Sequence, residues 1–238
     1  MKNIPLICWI GLAATLPVFA QNEETGEARQ AKGRVAWFVY TSLPQGLENP
    51  VTVLSGKDLS EVTLSKRSPS NPVKIPADGI IRIVRKVENP KDPGKSTYLT
   101  LAQAGIPEGM GKALIILMPV QNNPDGLLFQ TRIQDLATFK GGDCLYLNMT
   151  KLKVGVELGK SGMEINPGES KIQSVPGLSE PVNMPIRYSY FDPVSKQWDM
   201  LSASTVAVYP TRRDICIFSW DPNYNRVDYH GITFPVAQ

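Results

Sequence analysis

The stretch 214–234, DICIFSWDPNYNRVDYHGITF, gathers much of what in this chain could do chemistry. It holds the only histidine, His230, a carboxylate two places before it, Asp228, one of three cysteines, Cys216, and the run Asp221, Asn223, Asn225. The last three stand at the first, third and fifth places of a calcium loop. Such a loop also needs glycine at the sixth place and a bidentate glutamate at the twelfth, to close the turn and supply charge. Those places hold Arg226 and Ile232, so the run reads as a polar hairpin tip built on Asp-Pro and Asn turn chemistry. Asp228 and His230 would share one face of a strand and are the single pair available to a hydrolase of envelope or carbohydrate material. A triad also needs a nucleophile, and no G-x-S-x-G element is present. No C-x-x-C or H-x-x-x-H spacing occurs either, so no metal site is expected. PGKSTY (93–98) contains G-K-S-T, but Asn89 stands where a phosphate-cradling loop needs its first glycine. No cofactor is expected.

Two further groups have chemical potential. Cys144 and Cys216 fall in the middle of expected strands. They read either as a disulfide closing a loop of ~70 residues, worth roughly 2–4 kcal/mol, or as two small buried thiols. Alignment of the two halves of the chain puts Val35 and Leu114 at the matching places of the first half. Trp198, Trp220, Tyr224 and Tyr229 cluster late in the chain. A sugar-stacking platform built on Trp220, Tyr224 and Tyr229 is the candidate ligand site, provided that two or three rings stand exposed beside planar polar groups.

The elements that must position these residues begin after residue 20. MKNIPLICWIGLAATLPVFA has a lysine, an apolar run and a small-residue end. It is the pattern of a secretory signal peptide cleaved after Ala20, too short for a stable membrane span. Cys8 lies inside the apolar run after Ile7, which does not suit a lipoprotein site. Export would place Cys144 and Cys216 in an oxidising compartment, periplasmic or extracellular. Residues 21–33, QNEETGEARQAKG, are polar with no apolar face and read as a disordered leader. The net charge of +3 is small and interspersed, which argues against nucleic acid or a membrane surface as partner.

From residue 34 onward, 19 glycines and 20 prolines in the whole chain mark turns at short intervals and favour many short strands. RVAWFVYT (34–41), VTVL (51–54), SEVTLS (60–65), NPVKIP (71–76), GIIRIVRKV (79–87), STYLTLA (96–102), KALIILMPV (112–120) and GLLFQTRI (126–133) are the strands of a first half. The one helix candidate after the signal is a turn near RIQDLATF (132–139), and KGG (140–142) reads as a boundary. DCLYLNMT (143–150) alternates, with Cys144, Tyr146 and Asn148 opposite Leu145, Leu147 and Met149. KVGVELG (153–159), GMEINPGESKI (162–172), MPIRYSYFD (184–192), WDMLSAST (198–205), RDICIFSW (213–220) and RVDYHGITF (226–234) follow. RVAWFVYT matches DCLYLNMT. The hairpin ending in LTLA matches the one containing MLSA. The hairpin 111–133 matches 212–234. The expected fold is all-β: two tandem antiparallel β-sandwich units, 34–139 and 143–238, of immunoglobulin-like size and related by internal duplication.

Residues 142–172 run from a strand ending in Asn-x-Thr into V-x-V-x-L-G and then I-x-P-G-E-S. In this stretch of about 30 residues the chain resembles β modules of exported bacterial proteins of unknown function. The resemblance implies fold and export and no chemistry. The function expected is a non-enzymatic binding or structural module of the cell envelope, with an envelope protein or a glycan as partner.

Overall fold

The computed structural model describes residues 33–120 and 123–236; the expected signal peptide lies outside them, as does the leader up to residue 32. Sixteen strands and no helix form among the described residues. The first half contains β1 (Val35–Tyr40), β2 (Val51–Ser55), β3 (Asp58–Val62), β4 (Val73–Lys74), β5 (Ile80–Glu88), β6 (Ser96–Gly105), β7 (Lys112–Pro119) and β8 (Phe129–Asp135). The second contains β9 (Asp143–Asn148), β10 (Val154–Leu158), β11 (Ser161–Ile165), β12 (Ser170–Ser174), β13 (Val182–Asp192), β14 (Gln197–Val208), β15 (Arg212–Asp221) and β16 (Arg226–Pro235).

Each half is a sandwich of two four-stranded sheets. In the first, an outer sheet β3-β2-β5-β6 covers an inner sheet β4-β1-β7-β8. In the second, an outer sheet β11-β10-β13-β14 covers an inner sheet β12-β9-β15-β16. Strand for strand, the second order is the first with eight added. The correspondence extends to irregularities: β5/β6 shifts register between Ile83 and Val84, and β13/β14 between Tyr188 and Ser189. These bulges make Leu201 the counterpart of Leu101, one residue away from the LTLA/MLSA alignment that the sequences suggest.

Three cores separate the four sheets. Ala36, Phe38, Val53, Ile81, Ile83, Ile115 and Leu117 fill the first sandwich. Cys144, Tyr146, Val154, Val156, Tyr188, Cys216 and Phe218 fill the second. A third core lies between the two inner sheets, where Val39, Leu114, Ile116, Leu136 and Phe139 meet Leu145, Leu147, Ile215, Ile217, Ile232 and Phe234. The inner sheets are therefore buried on both faces. This explains the unbroken apolar runs ALIIL and ICIF, which carry no inward/outward alternation. The expectation of purely antiparallel sandwiches is refined at the same place: β1 pairs with β7, and β9 with β15, in parallel. Parallel pairing suits strands shielded on both sides.

Polar contacts also join the halves. Lys66 Nζ bonds Asp228 at 2.9 Å, and Arg132 donates to the Gly168 carbonyl at 2.6 Å. The Arg213 guanidinium donates to the carbonyls of Leu136 and Phe139, closing the segment that leads into KGG. Trp37 meets Phe234 edge to face at 6.0 Å. Gly141 passes so close to the Pro210 carbonyl that a Cβ there would lie 1.9 Å from its oxygen; no other residue fits this crossing.

Two sequence expectations change. RIQDLATF is strand to Asp135 and then a turn in which Asp135 accepts the Ala137 N–H. GMEINPGESKI is two strands in different sheets, β11 and β12, joined at a turn where Glu169 accepts the backbone and side-chain N–H groups of Asn166. No helix among the described residues is long and apolar enough to cross a membrane.

Candidate recognition surface

The hairpin between β15 and β16 spends its polar residues on its own geometry. The Asp221 carboxylate accepts the N–H groups of Asn223 at 2.9 Å and Tyr224 at 3.4 Å, an Asx turn. Asn225 takes a left-handed conformation, φ 49°, which asparagine tolerates. Among the described residues no group of three or more His, Cys, Asp and Glu is placed to hold a metal ion.

Asp228 and His230 do share a face of β16, and that face looks into the seam between the inner sheets. Asp228 is engaged by Lys66 of the other half. His230 is 4% exposed and neither ring nitrogen has a hydrogen-bond partner. The acid/base pair weighed from sequence is thus not assembled: among the described residues no hydrogen bond joins the two, although Ser219 stands across the ladder from Asp228.

Cys144 and Cys216 lie on neighbouring strands and on the same face, yet they are free thiols. Register is the reason. Cys144 stands opposite Asp214, and Cys216 opposite Tyr146, so the pair is offset by two residues along parallel strands. Their first-half counterparts also differ from the sequence alignment. Leu114 faces the central core, whereas Cys216 faces the second sandwich core. By face, Ala36 and Ile115 occupy the matching places. Burial, reinforced by the Asp214 charge, pushes the Cys144 thiol up to about 11. Burial pushes Cys216 up to about 12, against a hydrogen bond from Tyr188 that works the other way. Both should therefore be protonated at neutral pH and slow to react, since the thiolate is the nucleophile. Ellman's reagent is expected to find these two thiols silent in the native protein and fully reactive in guanidinium chloride. Rapid native labelling of either would contradict the burial.

The three rings proposed as a platform are dispersed. Tyr229 is half-buried against Tyr188, 4.6 Å between centroids, and Phe218, 6.2 Å. Tyr224 is exposed at the hairpin tip, with Arg226 over its ring at 5.3 Å. Trp220 is exposed near the end of β15, and no ring pair joins it to the other two among the described residues.

A different surface emerges from comparing the two outer sheets, which share one topology. In the first half the free side of β6 is covered by the chain entering β8 and by β8 itself. Leu128 N–H donates to the Leu101 carbonyl at 2.8 Å, and Thr131 Oγ1 to the Gln103 carbonyl at 2.8 Å. Leu101, Ala102 and Ala104 are buried. In the second half, among the described residues, β16 makes no such bond to the counterparts Leu201 and Ala203, and Ala203, Ser204 and Thr205 are exposed. β14 is twelve residues long with one charge, Asp199, and no proline. It lacks the lysines, prolines or cover that usually blunt an edge.

The outer face of the same sheet is hollowed. Register places Gly155 where the first half has Thr52, Glu157 where it has Leu54, Gly162 where it has Leu59, and Trp198 where it has Tyr98. Two side chains are removed from the middle of the face. What remains is a shallow trough of about 770 Å³ lined by Gly155, Gly162, Ser189, Trp198 and Met200, with Glu157, Glu164 and Arg187 at its rim. Trp198 packs edge to face on Phe191, its cross-strand partner, at 5.6 Å. A Cβ on Gly155 would lie 2.6 Å from Ser189 Oγ and 3.1 Å from the Trp198 ring, so glycine there lets the ring lie across the strand. Trp198 and Met200 are 42% and 66% exposed. Sequence reasoning noticed Trp198 only as a member of a cluster and passed over the two glycines. Their signal was legible: glycine inside a strand marks a close approach, as in V-G-V and S-G-M.

No protein-family model matches this chain, and no curated protein matches it by sequence.

Proposed function

We propose that the protein is an exported, non-catalytic binding or structural module of the cell envelope, built by duplication of one eight-stranded sandwich, in which the second copy carries the recognition surface. The asymmetry between the two outer sheets carries this reading. One topology supports both, yet the first outer sheet has its edge covered and its face filled, while the second has an open edge and a hollowed face. Exposed apolar side chains beside an uncovered strand are the usual marks of an interaction surface. The export reading rests on the N-terminal sequence and on the resemblance over 142–172.

Capture from the protein's own envelope fraction, using the mature chain from Gln21, tests the reading. Retention of an envelope component is expected to be lost in Gly162→Leu, which refills the second outer face, and preserved in Leu59→Ser, at the counterpart position of the first. Equal retention by the wild type and both variants would overturn it.

A further inference from the structure

We infer that the trough of the second outer sheet is a binding site for a neutral glycan chain; this rests on the reading of that sheet as the recognition surface. Four features of the site select the ligand. The floor is bare strand at Gly162, beside Gly155 where the Trp198 ring lies against the backbone, so a flat ring can approach the strand closely there. One wall is the Trp198 ring with the Met200 thioether beside it, an apolar surface suited to the C–H face of a sugar. The rim carries three planar, bidentate groups, the Glu157 and Glu164 carboxylates and the Arg187 guanidinium; Arg187 pairs with Glu157 at 3.1 Å, and Lys153 neutralises Glu164 at 2.9 Å. Carboxylate and guanidinium forks of this kind match two adjacent hydroxyls. Ser189 adds a hydroxyl at the centre.

Charge and backbone pairing then separate the ligand classes. Each rim carboxylate already has its own cation, so the site has no excess charge to attract an acidic or a basic polymer. The backbone groups of β10 are committed to ladders with β11 and β13, so the floor offers no N–H or C=O for an extended peptide to join. A ligand lying there must bond to side chains only, which favours one dense in hydroxyls. The volume, about 770 Å³, is in the range of small-ligand sites, about 300–1,000 Å³, and holds a few sugar rings.

Isothermal titration calorimetry of the mature chain against cello-, malto-, manno-, xylo- and galacto-oligosaccharides, with oligogalacturonate as the acidic control, tests this. At least one neutral series is expected to bind, with affinity lowered by about tenfold or more in Trp198→Ala and Gly162→Leu, the equivalent of one lost stacking contact. Trp220→Ala and Leu59→Ser should bind as the wild type does. A Cβ at Gly162 has its nearest neighbour at 3.7 Å, so the leucine variant fills the trough without disturbing the sheet even if the tryptophan variant misfolds. Absence of binding to every neutral series, preference for the acidic control, or binding that survives Gly162→Leu would overturn the inference. If the sugars fail while Gly162→Leu still abolishes envelope capture, the recognition surface stands and the ligand class falls. If capture is also unchanged, both fall.

Discussion

Replacing Asn148 by alanine is expected to destabilise the protein by about 3–4 kcal/mol, the cost of orphaning several buried polar groups at once. Asn148 is fully buried at the end of β9. Its amide donates to the carbonyls of Leu152 at 2.7 Å and Ile165 at 2.9 Å. Its side-chain oxygen accepts from the Thr150 N–H at 3.0 Å and the Thr150 hydroxyl at 2.8 Å. The backbone continues the lock: Asn148 N–H donates to the Glu169 carbonyl, and Gly168 N–H to the Asn148 carbonyl. One side chain thus ties an inner strand, the loop to β10 and the end of β11, and the backbone of the same residue adds the turn into β12. Thr150 still reaches the Leu152 carbonyl after truncation, which limits the loss. Asn148→Asp should cost at least as much with no cavity formed, because an anionic oxygen would then face two carbonyls. Urea unfolding reads both; a loss below about 1 kcal/mol for the aspartate would contradict the lock.

A second large effect is expected from His230, which should make stability fall by about 3 kcal/mol as pH drops from 6.5 to 4. Burial, with the Lys66 charge next and Arg67 adding to it, lowers the ring to about 4, and the nearby Asp228 charge only partly opposes this. The folded state therefore keeps His230 neutral in a range where the unfolded chain takes up a proton. Between about 4 and 6.5 the unfolded state binds more protons, so stability rises with pH and is complete above 6.5. Asp228 does not blur this window. Its own burial raises it, but the Lys66 hydrogen bond and charge and the Tyr229 N–H outweigh that and hold it below the ordinary carboxylate value. Its contribution is lost only at lower pH. Because both ring nitrogens lack partners, His230→Leu should flatten the pH dependence in this window and keep the neutral-pH stability or raise it. Denaturation midpoints from pH 4 to 7 decide. A wild-type profile that is flat, or one unchanged in His230→Leu, would show that the side chain is not sealed in the seam.

The elements of the fold were largely legible because strand signals are local. Val35–Tyr40 and Ile80–Glu88 are rich in β-branched and aromatic residues, and the turns between strands carry Pro, Asn and Gly. The alternation read in DCLYLNMT places Cys144 and Tyr146 in one core and Leu145 and Leu147 in another. What stayed hidden depends on pairing, which no single strand encodes. The offset of Cys144 from Cys216 follows from parallel register. The burial of His230 follows from the first half laid against the face of β16, and its strand pattern alone equally fits a solvent face. The candidate site was obscured for the opposite reason: sequence reasoning looked for aromatic rings, whereas the trough is made by side chains that are missing at Gly155 and Gly162.

Scanning calorimetry of the full mature chain tests the shared central core most directly. With Leu114, Ile116, Leu147 and Ile217 buried together between the inner sheets, neither sandwich can open without exposing apolar surface on the other. A single transition is expected, with equal calorimetric and van't Hoff enthalpies. Two separated transitions, one per half, would contradict it.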